Sequence, residues 1–245
     1  MGLRFPFDPL ERSGEVERLV TQGERRVYHR FRPAPYYGGI ATADAVGCSF
    51  LCAYCWNYNR NLHPERFTRF CSADHVASRL LAISQKRGFR LFRITGAEPV
   101  LGEATFRHLV AVLQRLFESR PEARFVLETN GFFFGTRPDL LSELQRFPNL
   151  RVRVSLKGTD EESLEAVSGA EKRFFEVPLR ALKALLDLGV RAWPALMQDL
   201  FSREQVRTLK QRLQSLGIPA ELELEALEPY PFVLENLRRR NIPLA

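Results

Sequence analysis

Sulfur is scarce in this sequence: 245 residues hold four Cys and two Met. Four cysteines, three of them in one short stretch, cannot build the disulfide framework of a small secreted domain. Long apolar runs are missing as well. Each is interrupted by charge well short of the roughly 18 residues a membrane span needs, and the start, Met1-Gly2-Leu3-Arg4-Phe5-Pro6, lacks the apolar core of a secretory signal. A reducing, cytoplasmic location without a membrane partner is expected. The four His include no pair at a spacing suited to a metal ion. No solenoid repeat, low-complexity tract or long linker divides the chain.

Acid is in short supply relative to base, with 29 Asp+Glu against 36 Lys+Arg and a net charge of +7. The excess is mostly Arg spread along the chain, the pattern of a solvated surface rather than of a nucleic-acid tract. Two denser patches, Arg25, Arg26, Arg30, Arg32 and Arg238-Arg239-Arg240, leave room for an anionic substrate or partner, and RNA stays open as an alternative. With 45% hydrophobic residues the chain can bury a full core as a single domain, 1–245.

What is present alternates. Asp8 before Pro9 marks the start of a short helix that ends at Gly23. Val27 to Phe31 has strand-like alternation, and Pro33, Pro35, Gly38 and Gly39 break the chain before a first strand over 40–46. Five further strands are expected at 89–95, 124–129, 151–156, 190–197 and 221–227. Between them the periodicity predicts helices near 74–87, 103–119, 137–147, 160–167, 174–188 and 202–216. Strands alternating with amphipathic helices give an α/β fold with a parallel sheet and right-handed crossovers. The architecture expected is an incomplete (β/α)6, TIM-like barrel over 40–227, with an N-terminal extension over 1–39 and a segment over 228–245 that closes the open side. Its chemistry belongs at the carboxyl ends of the strands.

The cysteines are concentrated in Gly47-Cys48-Ser49-Phe50-Leu51-Cys52-Ala53-Tyr54-Cys55-Trp56-Asn57. Random placement of four cysteines gives a CxxxCxxC spacing about one time in a thousand. Closely spaced thiolates suit zinc or an iron–sulfur cluster. A structural zinc wants four closed ligands, usually as two separated pairs, whereas one run of three leaves a metal position without a protein thiolate. The fourth, Cys71, starts a later helix and is expected to be a small buried hydrophobe.

This loop, with Tyr54 before the third Cys, resembles the cluster loop of the radical S-adenosylmethionine (SAM) superfamily. The resemblance implies that Cys48, Cys52 and Cys55 bind three irons of a [4Fe–4S] cluster whose fourth iron is chelated by the amino and carboxylate groups of SAM. A zinc knuckle, a redox disulfide and a cluster used only for electron transfer are the alternatives. Three strand ends extend the likeness. Thr95-Gly96-Ala97-Glu98-Pro99 resembles the GGEP motif that binds the SAM amino group, with Ala97 in place of the second Gly. That exchange is tolerable if φ there is negative. Glu128-Thr129-Asn130-Gly131 resembles an ETNG segment of the activase-like group, which makes Thr129 and Asn130 ribose or carboxylate contacts and leaves Glu128 free to face either way. Ser155-Leu156-Lys157-Gly158 matches the D-x-K frame beside the SAM carboxylate in glycyl-radical-enzyme activases, with Ser where those enzymes carry Asp. Strand alternation puts Ser155 and Lys157 on one face. Gln198, after Met197, is a further SAM contact by position, and Trp56, Asn57 and Asn59 suit either packing, capping or adenine contact.

The chemistry implied is reductive cleavage of SAM to a 5′-deoxyadenosyl radical that takes hydrogen from a substrate. Its electron would come from a low-potential donor such as flavodoxin or ferredoxin. With only Cys71 left over, a single cluster is expected. The strand ends look most like the activase-like and 7-carboxy-7-deazaguanine-synthase-like groups and a set of stand-alone radical SAM proteins. A small molecule or a protein partner ranks ahead of RNA as substrate, and a non-catalytic electron carrier is the reading from another class.

Overall fold

The computed structural model describes residues 4–244. Asp8 caps the first helix, α1 (Pro9–Val20), accepting from the amides of Leu10 and Glu11, as a short acceptor before Pro should. A two-residue β1 (Thr21–Gln22) then pairs with β2 (Arg25–Ala34), which runs antiparallel to β3 (Ile40–Ala45). β2 continues through Pro33, where the sequence predicts a break. Pro33 is tolerated because β1 and β4 (Phe70–Cys71) pair only with the opposite end of β2, so the missing amide falls on an open edge. The break comes instead at Tyr36–Gly38, where Tyr37 holds a positive φ of 55°.

From β3 onward the chain alternates as expected. After α2 (Tyr58–Leu62) come α3 (Ala73–Arg87), β5 (Leu91–Thr95), α4 (Glu103–Ser119), β6 (Arg124–Thr129), α5 (Phe132–Thr136), β7 (Leu150–Leu156), α6 (Glu161–Ser168), α7 (Glu176–Asp187), β8 (Arg191–Met197), α8 (Arg203–Ser215), β9 (Glu223–Glu225) and α9 (Pro231–Arg239). The sheet order is β1-β2-β3-β5-β6-β7-β8-β9, and every pairing from β3 to β9 is parallel. Six parallel strands therefore form an unclosed barrel, with the antiparallel β2 added at one edge.

Two elements differ from the expectation. The helix predicted over 137–147 is a 3-10 helix, Pro138–Arg146. Leu141, Leu144 and Phe147 are buried, and their spacing of three fits a three-residue turn better than an α-helical one. The strand predicted over 221–227 shortens to three residues, because β9 has a partner on one side only.

The outward face of the sheet is apolar: Phe92, Ile94, Phe125, Leu127, Val152 and Val154 pack with Leu80, Leu109, Val112, Leu182 and Leu185 from the covering helices. Inside, a small plug of Ala34, Ile40 and Val126, with Leu91 and Trp193 against it, fills the amino-terminal end of the barrel. Above that plug the inward side chains turn polar. α9 adds Val233 and Leu237 to the main core.

α5 fits so closely against α7 that only glycine is accommodated at one point. A Cβ on Gly135 would run into the backbone carbonyl of Val177. Gly135→Ala is expected to cost about 3 kcal/mol through overpacking against backbone that cannot yield, read as a lowered midpoint in thermal unfolding. An unchanged midpoint would mean that α5 is free to shift.

Candidate functional site

The cysteine loop hangs between the end of β3 and α2. Gly47 opens it at φ 89°, where a Cβ would lie 2.5 Å from Val16 of α1, so the chain turns there only as glycine. The amides of Leu51 and Ala53 donate to Ser168 O and Val167 O at 3.0 and 2.9 Å, tying the loop to the end of α6. Cys48 and Cys55 are half-buried and Cys52 is buried. Asn130 Nδ2 lies 3.8 Å from Cys48 Sγ, and Asn61 Nδ2 lies 3.7 Å from Cys55 Sγ. Arg12 of α1 donates to Cys48 O at 3.2 Å and to Asn61 O at 2.6 Å.

Burial pushes the thiols of Cys52 and Cys55 up to about 11; the Cys55 thiol adds to the shift of Cys52 against the opposing charge of Lys157, and the Cys48 thiol adds to that of Cys55. Three such groups become thiolates together only beside a cation. Among the described residues no three Cys, His, Asp or Glu side chains converge on one metal ion. Soft thiolates arrayed around a space, with amide donors at two sulfurs, fit a cluster in which each sulfur meets a different iron.

The second loop follows β5. Gly96 has φ 84°, and its carbonyl accepts from Asn57 Nδ2 at 2.5 Å. Ala97 is not among the residues of positive φ, so its methyl is accommodated. The Glu98 amide donates to Gly47 O at 3.1 Å, joining this loop to the cysteine loop. The buried Glu98 carboxylate accepts from Val100 N at 3.1 Å and Thr129 Oγ1 at 2.7 Å on one oxygen, and from Asn130 N at 2.7 Å on the other. Burial nevertheless raises its pKa to about 7. Pro99 lies off the cavity, its carbonyl taken by Arg26 Nη1 at 2.6 Å.

The ends of β6, β7 and β8 complete the wall. The Thr129 hydroxyl serves Glu98, while Asn130 donates to Ser49 Oγ at 2.8 Å and accepts from Phe132 N at 2.9 Å. Both side chains thus brace Glu98 and the cysteine loop. Ser155 and Lys157 share the inward face, as alternation predicts. Ser155 Oγ accepts from Arg153 Nη1 at 2.9 Å, and Lys157 Nζ donates to Tyr54 OH at 3.0 Å. Burial alone pushes the Lys157 pKa down, yet Tyr54, Cys52 and Glu225 together leave it raised, so the group stays an ammonium. Gln198 does not join them: β8 ends at Met197, the following 3-10 turn directs Gln198 to solvent, and Met197 lines the cavity instead.

These groups surround a cavity of about 490 Å³ that contains Cys48, Cys52, Tyr54, Cys55, Gly96, Ala97, Glu98, Thr129, Asn130, Ser155 and Lys157. A hollow of about 440 Å³ between α3 and α4 holds none of them. The cavity also contains a charged layer that motif reasoning passes over. Arg93 donates to Thr42 at 3.1 Å and to Glu128 at 2.7 Å, and Thr95 and Tyr37 donate to the same carboxylate at 2.6 and 3.3 Å. Arg153 pairs with Glu223 at 3.1 Å and Glu225 at 2.8 Å. The signal was there as alternation: polar residues at every second place in otherwise apolar strands mark an inward polar face. Cys71 is buried in the main core, away from the site. Arg26, Arg30 and Arg32 are held by protein acceptors, and Arg238 and Arg239 by Glu235. Among the described residues no helix is long and apolar enough to cross a membrane.

A family model described as the Radical SAM superfamily matches residues 44–197. A GTP 3',8-cyclase of Brucella ovis is 24% identical over 239 residues, covering 89% of this chain and 63% of that protein. One of Microcystis aeruginosa is 24% identical over 126 residues, covering 51% and 36%. The chain thus spans less than two thirds of these relatives. Among solved structures, Streptococcus suis SuiB bound to S-adenosylmethionine superposes with a TM-score of 0.56 at 17% identity, over 82% of this chain and 42% of that one. Spore photoproduct lyase with bound AdoMet gives 0.62 at 15%, over 86% and 63%. At these identities the likeness is one of fold.

Proposed function

The chain belongs to the radical SAM superfamily, and on that premise we propose that it abstracts a hydrogen atom from a small polar substrate held over the charged inner face of the barrel. Members of the family are enzymes that use a [4Fe–4S] cluster and SAM. When bound, this pair supplies reductive cleavage of the sulfonium and a 5′-deoxyadenosyl radical for hydrogen abstraction. The observation that carries the reading is the convergence of three thiols, Glu98 and Lys157 on one cavity whose floor is lined by Arg93, Glu128 and Arg153.

Cys48, Cys52 and Cys55 would each hold one iron, leaving the fourth for the amino and carboxylate groups of SAM. Glu98 offers a carboxylate to the ammonium, and Lys157, steadied by Tyr54, offers a cation to the carboxylate. Thr129 and Asn130 keep Glu98 fixed, so little orientation is lost when the ligand arrives. Paired charges on the floor fix a polar substrate by hydrogen bonds that an apolar analogue leaves unmade. A low-potential flavodoxin or ferredoxin is the proposed electron donor. The test is anaerobic reconstitution with iron and sulfide, then dithionite and SAM, with 5′-deoxyadenosine as the expected product. A preparation that binds a cluster yet releases no 5′-deoxyadenosine would turn the reading toward an electron carrier.

The Glu98 carboxyl gives a pH dependence. Its raised value near 7 means that it must lose a proton to meet an ammonium. SAM affinity is therefore expected to rise about tenfold per pH unit up to 7 and level off above. In the free protein the sign is opposite: the neutral carboxyl contributes full stability below the ordinary 4.5 and loses it as pH climbs through about 7. Calorimetric titration of SAM at several pH values checks this, and Glu98→Gln should bind weakly with a flat profile. A wild-type profile that is itself flat would remove Glu98 as the ammonium partner.

A further inference from the structure

One cluster of charge lies at the rim of the cavity, apart from the three thiols and the Glu98 carboxylate. Arg30 and Arg32 project from β2 and both pair with Asp44, at 2.5 and 2.9 Å. Asp44 is almost wholly buried. Arg60 comes from α2 and donates to Asn57. The guanidinium carbons of Arg30 and Arg60 stand 5.9 and 5.8 Å from the ring centre of Trp56, the residue after the last cluster cysteine. Trp56 and Arg32 both line the cavity, and Trp56 is 38% exposed.

The electrostatics of this rim are unbalanced. Arg30 and Arg32 share the one carboxylate of Asp44, and among the described residues Arg60 is bound only to the amide oxygen of Asn57. Among the described residues Arg30 commits only Nε and Arg60 only Nη1, while Arg32 commits Nε and Nη2. Each guanidinium has five N–H donors, so most donors of the cluster are unspent. The local potential is positive: burial first, and then Arg30, depress the pKa of Arg60, and burial followed by Arg60 and Arg30 depresses that of His29. An indole flanked by two such groups offers a flat surface beside them.

We propose that Trp56, Arg30, Arg32 and Arg60 form a subsite for an anionic group, phosphoryl or carboxylate, of the substrate that enters the barrel. The proposal rests on the hydrogen-abstraction reading and supplies its substrate class. A planar fork of donors suits a tetrahedral or planar oxyanion, and Arg32 reaches from the rim to the cavity wall. An anion seated there relieves the repulsion between the guanidinium groups and leaves the rest of the substrate over the charged floor.

The probe is inorganic phosphate, titrated calorimetrically into the reconstituted, SAM-loaded protein at low ionic strength. One saturable site is expected. Arg30→Gln and Arg60→Gln should each weaken it about tenfold, the loss of one charge-assisted bond, while Arg238→Gln on the exposed end of α9 should leave it unchanged. Binding should fade as salt is added. Succinate in competition separates the two chemistries: displacement assigns oxyanions in general, and no displacement assigns phosphoryl groups. No saturable binding by the wild type, or equal affinity in the Arg30, Arg60 and Arg238 variants, would overturn the subsite. Release of 5′-deoxyadenosine by the wild type is measured in parallel. Its absence overturns the hydrogen-abstraction reading and leaves the phosphate result to stand on its own.

Discussion

Replacing Cys48, Cys52 or Cys55 by alanine is expected to abolish 5′-deoxyadenosine formation and strip most of the iron, whereas Cys71→Ala keeps both. On the proposed reading each of the three thiols would supply one iron with its protein ligand, so losing any one would open a second unligated iron and remove the asymmetry that presents a single site to SAM. Mutating the partners that orient metal ligands already costs about 10 to 100-fold, and removing a ligand should exceed that. Cys71 lies in the main core, where its sulfur only approaches Arg69 O, at 3.7 Å. Its truncation leaves a small void worth about 1 kcal/mol. Iron content, visible absorption and product release on anaerobically reconstituted protein give the answer. A Cys71 variant that lost its cluster while one of the other three kept it would sink the assignment.

The second large effect is placed at Arg26. Its guanidinium, on β2, is fully buried and donates to Pro99 O and Glu98 O at 2.6 Å each and to Val46 O at 3.5 Å. It thus holds the carbonyls of the Glu98 loop against the end of β3, while the Glu98 amide bonds to Gly47 O. Arg26→Met leaves those carbonyls buried without donors, at about 1 to 3 kcal/mol each, partly offset because a desolvated charge is removed as well. A net loss near 3 kcal/mol corresponds to about 6 to 12 °C in the unfolding midpoint for a chain of this size. SAM affinity should fall about tenfold with it, since the loop that carries Glu98 loses its anchor. Arg26→Lys keeps the charge but not the fork, so it should fall between. Thermal unfolding and SAM titration of the cluster-loaded variants read both effects, and an unchanged midpoint with unchanged affinity would show that the loop holds itself.

Much of the barrel was legible because its signals are local. Alternation in 124–129 and 151–156 follows from a period of two, and Asp8, before Pro9, acts on an amide two residues away. The 3-10 helix at Pro138–Arg146 is not legible because a stripe of Leu suits both helical periods, and the choice depends on how α5 and α7 pack. Pro33 reads as a break because whether its amide is needed depends on which end of β2 is paired. The outward turn of Gln198 is hidden for the same kind of reason, since one residue past a strand end the backbone can turn the side chain to either side.

The sequence by itself determined the clustering of three thiols and the order of the strand ends, because three Cys in eight positions and a loop after each strand are properties of the chain alone. Only the tertiary structure decided which polar groups meet: that Glu128 turns inward to Arg93, that Thr129 and Asn130 brace Glu98, that Arg26 is an anchor rather than part of a basic patch, and that Arg30, Arg32 and Arg60 gather around Trp56. Such pairings join residues tens of positions apart. They are fixed by strand register and by the cost of leaving a buried charge without a partner, and neither can be read from neighbours in the sequence.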